Sequence, residues 1–328
     1  MHLSEEVPLV SMATPVFSVP PFMGLLMTLR RFVPFSLALA LLFSASLASG
    51  QQYDLAPLTK FRADRETTLK RDSGWLTVAG LHFLNQGDNR VGSDPSNDIV
   101  LDFASVPKHI GVISVDGTNV RIRAAAGQSV KINDVDKTES ELHGAFDQKP
   151  TDTLQFGPVT FFVHYSGPRL ALRVRNQESA LRTNFRGLRW YEVNPALRTI
   201  GTFTPYAETK VVQIPNILGD LEPFKAIGTV TFELAGATHT MEAWGSLKSL
   251  WFVFRDRTSG RETYPSARFL YTEPVVDGKV VIDFNFAQNP PCAYNPYTTC
   301  PLPPAQNRLA IAIEAGEKKY VADTTSRY

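Results

Sequence analysis

The chain has 328 residues, 43% apolar and 20% charged, with 33 Lys and Arg against 32 Asp and Glu. Those figures describe an ordinary globular protein with a sizeable core and length enough for two domains. A formal net charge of +1 with no dense basic run excludes a dedicated nucleic-acid binder, because neutralising phosphates takes clustered Lys and Arg.

The first fifty residues differ from the rest. Arg30-Arg31 precedes an apolar run over 32–43, and small residues follow over 44–50. A basic flank, a short apolar core and a small-residue zone predict a signal peptide, cut after Ala48-Ser49-Gly50 or after Ser46-Leu47-Ala48. A membrane span would need about 20 apolar residues, so an uncleaved anchor is the weaker reading. Met27 is an alternative start. The mature chain is therefore expected to be exported, to a periplasm or beyond the cell, with no membrane span of its own.

Within residues 51–74, Leu55, Leu58, Phe61 and Leu69 share one helical stripe, and Asp72-Ser73-Gly74 closes the segment. Strand-like runs separated by turn residues follow at 75–84, 90–92, 99–103, 110–115, 120–124, 129–132, 153–156 and 159–165. Asp116-Gly117 marks a tight hairpin. The turn Ser166-Gly167-Pro168 suggests a first domain over 75–168, although 170–175 also fits as a last strand of its sheet. Further runs at 188–193, 199–203, 210–214, 227–234, 238–244, 251–254, 267–270, 280–284 and 309–313 predict a second antiparallel sandwich or partial barrel over 169–328. The expected fold is mostly β, with one short N-terminal helix.

The run Val91-Gly92-Ser93-Asp94-Pro95-Ser96-Asn97-Asp98-Ile99-Val100-Leu101, with His109 and the later Thr151-Asp152-Thr153-Leu154-Gln155-Phe156-Gly157, resembles the signature of the forkhead-associated (FHA) domain. The resemblance spans roughly residues 75–165 and implies a β-sandwich that grips phosphothreonine. Ser93 stands where that family has arginine, and Val106 where it has serine. A phosphate dianion is held by charge-assisted bonds, best from a forked guanidinium, and neither residue supplies one. Lys108 is a weak substitute. Inherited shape without phosphothreonine binding is the expectation, with His109, Asn97 and Asp98 read as loop bracing.

The stretch Asn289-Pro290-Pro291-Cys292-Ala293-Tyr294-Asn295-Pro296-Tyr297-Thr298-Thr299-Cys300-Pro301-Leu302-Pro303-Pro304, with Asn307-Arg308 and the segments 260–270 and 279–285, resembles the prokaryotic family called domain of unknown function 1684. That resemblance implies membership and no reaction. Cys292 and Cys300 are the chain's two cysteines, and in an exported protein such a pair suggests a disulfide. A zinc site would want more ligands, and a nucleophilic cysteine would need a nearby base or positive charge.

Aromatic faces, amides and a guanidinium are usual pocket linings, which makes Arg268, Asp283, Asn285, Tyr294, Asn295 and Arg308 candidate ligand-binding residues. Trp190 and Phe284 read equally well as core. No Gly-x-Ser-x-Gly, His-Glu-x-x-His or Gly-rich phosphate loop occurs, and no cofactor or metal is expected. The leading reading is a non-catalytic binding module for a small polar ligand or glycan. The alternatives are a hydrolase using Cys292, or a carboxylate such as Asp283 or Glu262 with Arg268, and a structural envelope interaction protein.

Overall fold

A computed structural model describes residues 53–145 and 149–321. The expected signal peptide and the alternative start at Met27 lie outside the described residues. Among the described residues, no helix is long and apolar enough to cross a membrane.

The first element is the expected helix α1 (Ala56–Lys70), which carries proline in its first turn and Lys70 in its last, and buries Leu58 and Leu69. Both placements suit the helix ends, where proline costs no hydrogen bond and a cation meets the negative pole. Gly74 then lets the chain turn tightly against that end, since a Cβ there would sit 2.2 Å from the Leu69 carbonyl oxygen.

The next hundred residues form two packed sheets. One contains β2 (Gly87–Gly92), β3 (Ile99–Val100), β4 (Gly111–Asp116), β5 (Asn119–Ala124) and β8 (Glu139–Leu142), in the order β3-β2-β4-β5-β8. The other contains β1 (Val78–Phe83), β6 (Val130–Ile132), β7 (Val135–Lys137), β9 (Leu154–Phe156), β10 (Val159–Ser166) and β11 (Arg169–Asn176), in the order β1-β11-β10-β9-β6-β7. Alternation fills the space between them: Ile113, Ile122 and Val91 from one sheet meet Phe161, Val163, Leu172 and Val174 from the other. Asp116-Gly117 makes the expected hairpin between β4 and β5, with Gly117 at φ 60°.

The boundary at Ser166-Gly167-Pro168 is corrected here. Gly167, at φ 61°, is the hairpin turn between β10 and β11, so the sandwich ends at Asn176. Strands β7 and β8 were not foreseen, because their exposed, polar residues carry little apolar alternation.

After a short helix α2 (Ala180–Thr183), six strands make one antiparallel half-barrel sheet, the second of the two expected forms. They are β12 (Arg198–Pro215), β13 (Leu221–Leu234), β14 (Ala237–Ser246), β15 (Ser249–Phe254), β16 (Arg268–Tyr271) and β17 (Lys279–Asp283), ordered β16-β15-β14-β13-β12-β17. The expected runs 199–203 and 210–214 belong to the single long strand β12, interrupted by a bulge between Pro205 and Lys210. The runs 188–193 and 309–313 are not strands; Trp190 makes only an isolated bridge to Glu317. One face of the sheet packs Phe232, Met241, Phe252, Phe254 and Phe284, and closes with Leu309 and Ile313 from the C-terminal segment. The other packs Trp244, Phe269 and Ile214 against Cys292 and Cys300 of the proline-rich loop.

Candidate ligand-binding site

The six residues singled out in sequence sit in separate internal networks. Arg268 is wholly buried; its Nη1 donates to Asp256 Oδ2 at 2.8 Å and to the Ile313 carbonyl at 2.9 Å, while Nη2 donates to the Ala315 carbonyl. Asp256 Oδ1 in turn accepts from the Thr258 amide at 2.7 Å, the Thr258 hydroxyl at 2.6 Å and the Ile313 amide at 3.2 Å. This ion pair pins the C-terminal segment to β16. Asp283 accepts from Tyr53 Oη at 2.7 Å and from its own loop through Asn285, whose side chain exchanges bonds of 3.0 Å with the Asn194 backbone.

Tyr294 donates to Glu317 and accepts from Arg65 Nη2 at 3.1 Å. Glu317 also takes both the amide (3.1 Å) and the side chain (2.8 Å) of Asn289, and Arg65 reaches it at 3.5 Å. Burial pushes both the Tyr294 hydroxyl and the Glu317 carboxyl up from their ordinary values. Asn295 holds the Trp75 carbonyl at 3.0 Å, and exposed Arg308 touches the Pro303 carbonyl at 3.3 Å. Of the groups considered for a hydrolase, Glu262 faces Lys318 at 3.5 Å rather than Arg268, and Cys292 is buried.

The FHA-like turn is likewise closed on itself. Ser93 Oγ donates to the Val106 carbonyl at 2.9 Å, and Asn97 Nδ2 to the carbonyls of Asp94 and Lys108, each at 2.8 Å. His109 Nδ1 lies 3.3 Å from Asn97 Oδ1, and Arg90 pairs with Asp98 at 2.9 Å. These residues brace the loop.

A different face gathers unspent polar groups. On β11, Leu170, Leu172 and Val174 point into the sandwich core, which sends Arg169, Arg173 and Arg175 to the outer face. The proline-rich loop covers part of that face, tied by Asn295 to Trp75 and by Thr299 Oγ1 to Ser166 Oγ at 3.0 Å. Arg173 is consequently only 7% exposed. Its Nε donates to His164 Nε2 at 3.0 Å, its guanidinium lies 5.7 Å from the Trp75 ring centre, and its Nη1 is buried without a partner. His164 Nδ1 faces the Tyr165 carbonyl at 2.7 Å, which fixes the neutral tautomer with Nε2 as acceptor. Burial, with the charges of Arg173 and Arg175, lowers the His164 pKa to about 4, and burial lowers that of Arg173 to about 10.

Above Arg173 lie the two cysteines, both buried and both free thiols; the Cys292 amide donates to Cys300 Sγ at 3.3 Å. The hydrogen bond from Cys300 holds the Cys292 thiol below its usual range, whereas burial pushes Cys300 up. Beside this seam opens a cleft of about 390 Å³, lined by Ser73, Thr151, Thr153, Thr160, Gln177 and Arg175 over Phe162, with Asp72 at its rim. A broader concavity of about 710 Å³ on the outer face of the five-stranded sheet holds Arg121 against Glu139 at 3.6 Å and Ser114 against Asp88 at 2.6 Å.

Residues 183–318, which carry the C-terminal sheet and the proline-rich loop, match the family model described as "Protein of unknown function (DUF1684)". Over that stretch the chain resembles this family. Among solved structures, an uncharacterized protein of Haloarcula marismortui determined by NMR is 31% identical, over 42% of this chain and 78% of that one, with a TM-score of 0.36. The FhaA FHA domain complexed with the intracellular domain of Rv3910 is 16% identical over 29% of this chain and 97% of that one, TM-score 0.21. Mycobacterium tuberculosis EmbR in complex with a low affinity phosphopeptide is 24% identical over 35% of this chain and 29% of that one, TM-score 0.20. No curated protein matches the chain.

Sequence reasoning missed Arg173, Arg175 and His164, which precede the matched stretch. Their signal was the repeat Arg169-Leu170-Ala171-Leu172-Arg173-Val174-Arg175, which reads as an ordinary half-solvated strand. Only the fold shows that a loop more than a hundred residues downstream covers the cationic side.

Proposed function

We propose that the chain is an exported, non-catalytic binding module that holds a small polar ligand in the cleft beside the loop-covered face of β11. The observation that carries this reading is the lining: four hydroxyls and an amide around an aromatic ring, with one guanidinium and the Asp72 carboxylate, itself paired with Arg182. Such a set suits a polyhydroxylated molecule such as a sugar, which offers hydroxyls for exchange bonding and a C–H face for the Phe162 ring. Two buried cysteines on one loop, bridged by the Cys292 amide on Cys300 Sγ, fit the export reading, because an oxidising compartment is where such a pair closes as a disulfide.

Thermal-shift titration of the protein with neutral sugars and polyols tests the binding claim. A saturable rise in the unfolding midpoint is expected, and Thr160→Val with Gln177→Leu should remove it. No shift with any of them would defeat the reading. Sequencing the N-terminus of protein recovered from the secreting host tests export: a start near Gln51 is expected, and an intact residue 1 or 27 would count against it.

A further inference from the structure

Three buried features besides the cleft invite a role: the Arg65–Tyr294–Glu317 network, the thiol pair and Arg173. In the first, both carboxylate oxygens of Glu317 are occupied and the charge of Arg65 is matched, so it reads as a structural lock joining α1 to the C-terminal segment. The thiol pair carries cross-linking. Arg173 differs from both, because it is charged and buried with no carboxylate among its partners.

Burying a guanidinium without an acid is costly, and buried charges are otherwise paired. Among the described residues, Arg173 makes no ion pair with a carboxylate, and neither does its neighbour Arg175, which spends Nη1 on the Gly74 carbonyl at 3.0 Å and on Thr77 Oγ1 at 3.3 Å. The partners of Arg173 are a neutral imidazole and an indole face. Neither supplies negative charge. One group is left over, Arg173 Nη1, and it can donate. A guanidinium nitrogen buried without a partner beneath a tied-down loop is a receptor for an oxygen atom that carries negative charge.

We propose that this seam is an oxyanion seat, in which Arg173 receives a carboxylate or phosphate group of the ligand whose hydroxylated body occupies the neighbouring cleft. Phe162 connects the two places: it is the cross-strand partner of Arg173 and also lines the cleft, and Arg175 stands between them on the same strand face. His164 and Trp75 position the guanidinium. The inference rests on the cleft reading given above and narrows it to acidic sugars or sugar phosphates.

Isothermal titration at constant ionic strength with glucose, glucuronate and glucose 6-phosphate distinguishes the two claims. Glucuronate or glucose 6-phosphate is expected to bind at least a hundredfold more tightly than glucose. Arg173→Met should abolish that preference, leave glucose affinity within twofold, and not lower the unliganded unfolding midpoint. Arg173→Lys, which keeps the charge without the fork, should weaken the acidic ligands about tenfold and serves if the methionine variant does not fold. Equal binding of glucose and the acidic sugars would overturn the oxyanion seat while leaving the cleft reading intact. An undiminished acid preference in Arg173→Lys and Arg173→Met would overturn it as well. Binding of none of the three would overturn the cleft reading and the seat with it.

Discussion

If Arg268 is a structural pin, then removing Asp256 should unfold the C-terminal sheet rather than merely alter ligand affinity. Asp256 accepts four hydrogen bonds inside the protein, one from Arg268 and three through Oδ1 from Thr258 and Ile313. Taking one partner from a buried ion pair costs about 3–5 kcal/mol, because the other charge is left uncompensated. Each buried donor left unsatisfied adds about 1–3 kcal/mol, with incomplete additivity. Asp256→Ala is therefore expected to cost about 5 kcal/mol or more, a large part of a typical folding free energy of about 5–15 kcal/mol. Asp256→Asn keeps an oxygen for the three Oδ1 donors and loses only the charge, so about 3 kcal/mol is expected. Adding Arg268→Met to Asp256→Asn should restore part of that loss, since the stranded charge goes with it. Urea unfolding followed by the fluorescence of Trp244 and Trp251, which lie in the same sheet, reads all three variants. A cost below about 1 kcal/mol for Asp256→Ala, or strictly additive effects in the double variant, would refute the pin and return Arg268 to the pool of ligand contacts.

Three further outcomes are expected. His164 has a folded pKa of about 4 against 6.5 when exposed, so its neutral form contributes stability that is complete above pH 6.5 and lost as the pH falls toward 4, about 3 kcal/mol in all; His164→Gln should flatten that part of the stability profile, and an unchanged slope would show that the group is not buried neutral. Oxidised protein should yield no reactive thiol under native conditions and should gain about 2.5 kcal/mol over the reduced form from closing the Cys292–Cys300 loop; two titratable thiols in protein exported to an oxidising compartment would speak against the disulfide. A phosphothreonine peptide should show no saturable binding to the turn around Ser93, since the Ser93 hydroxyl is committed to the Val106 carbonyl; micromolar affinity there would contradict the loop-bracing account.

Where burial and polarity agree along the chain, the sequence was readable. Helix α1, the hairpin at Asp116-Gly117 and most strands of both regions follow from apolar periodicity and turn residues, which are local properties. The places that were misread depend on pairing at a distance. Residues 188–193 are apolar enough for a strand, yet their neighbours are the C-terminal segment and α1 rather than a sheet edge, as the isolated Trp190–Glu317 bridge and the Arg62 bond to the Tyr191 carbonyl show. The candidate site was harder still. Arg268, Asp283 and Tyr294 advertise binding chemistry by residue type, but each finds its partner inside the fold, on Asp256, Tyr53 and Glu317. Type alone does not reveal whether a polar group is already satisfied.

A carboxylate partner is what separates three inward-facing arginines of this molecule. Arg65 meets Glu317, and Arg268 meets Asp256. For each, the protein supplies both charges, so removing a partner harms folding and changes nothing else directly. Arg173 receives a neutral histidine instead, held in its acceptor tautomer by the Tyr165 carbonyl, and keeps one nitrogen idle under a loop anchored at Asn295 and Thr299. A carboxylate at position 164 would neutralise the guanidinium with no ligand present, and would leave nothing for an external anion to gain. The neutral imidazole orients Arg173 without discharging it. His164→Glu is accordingly expected to raise the stability of the empty protein at pH 7 while reducing its affinity for acidic sugars at least tenfold, a trade that no purely structural role for Arg173 would produce.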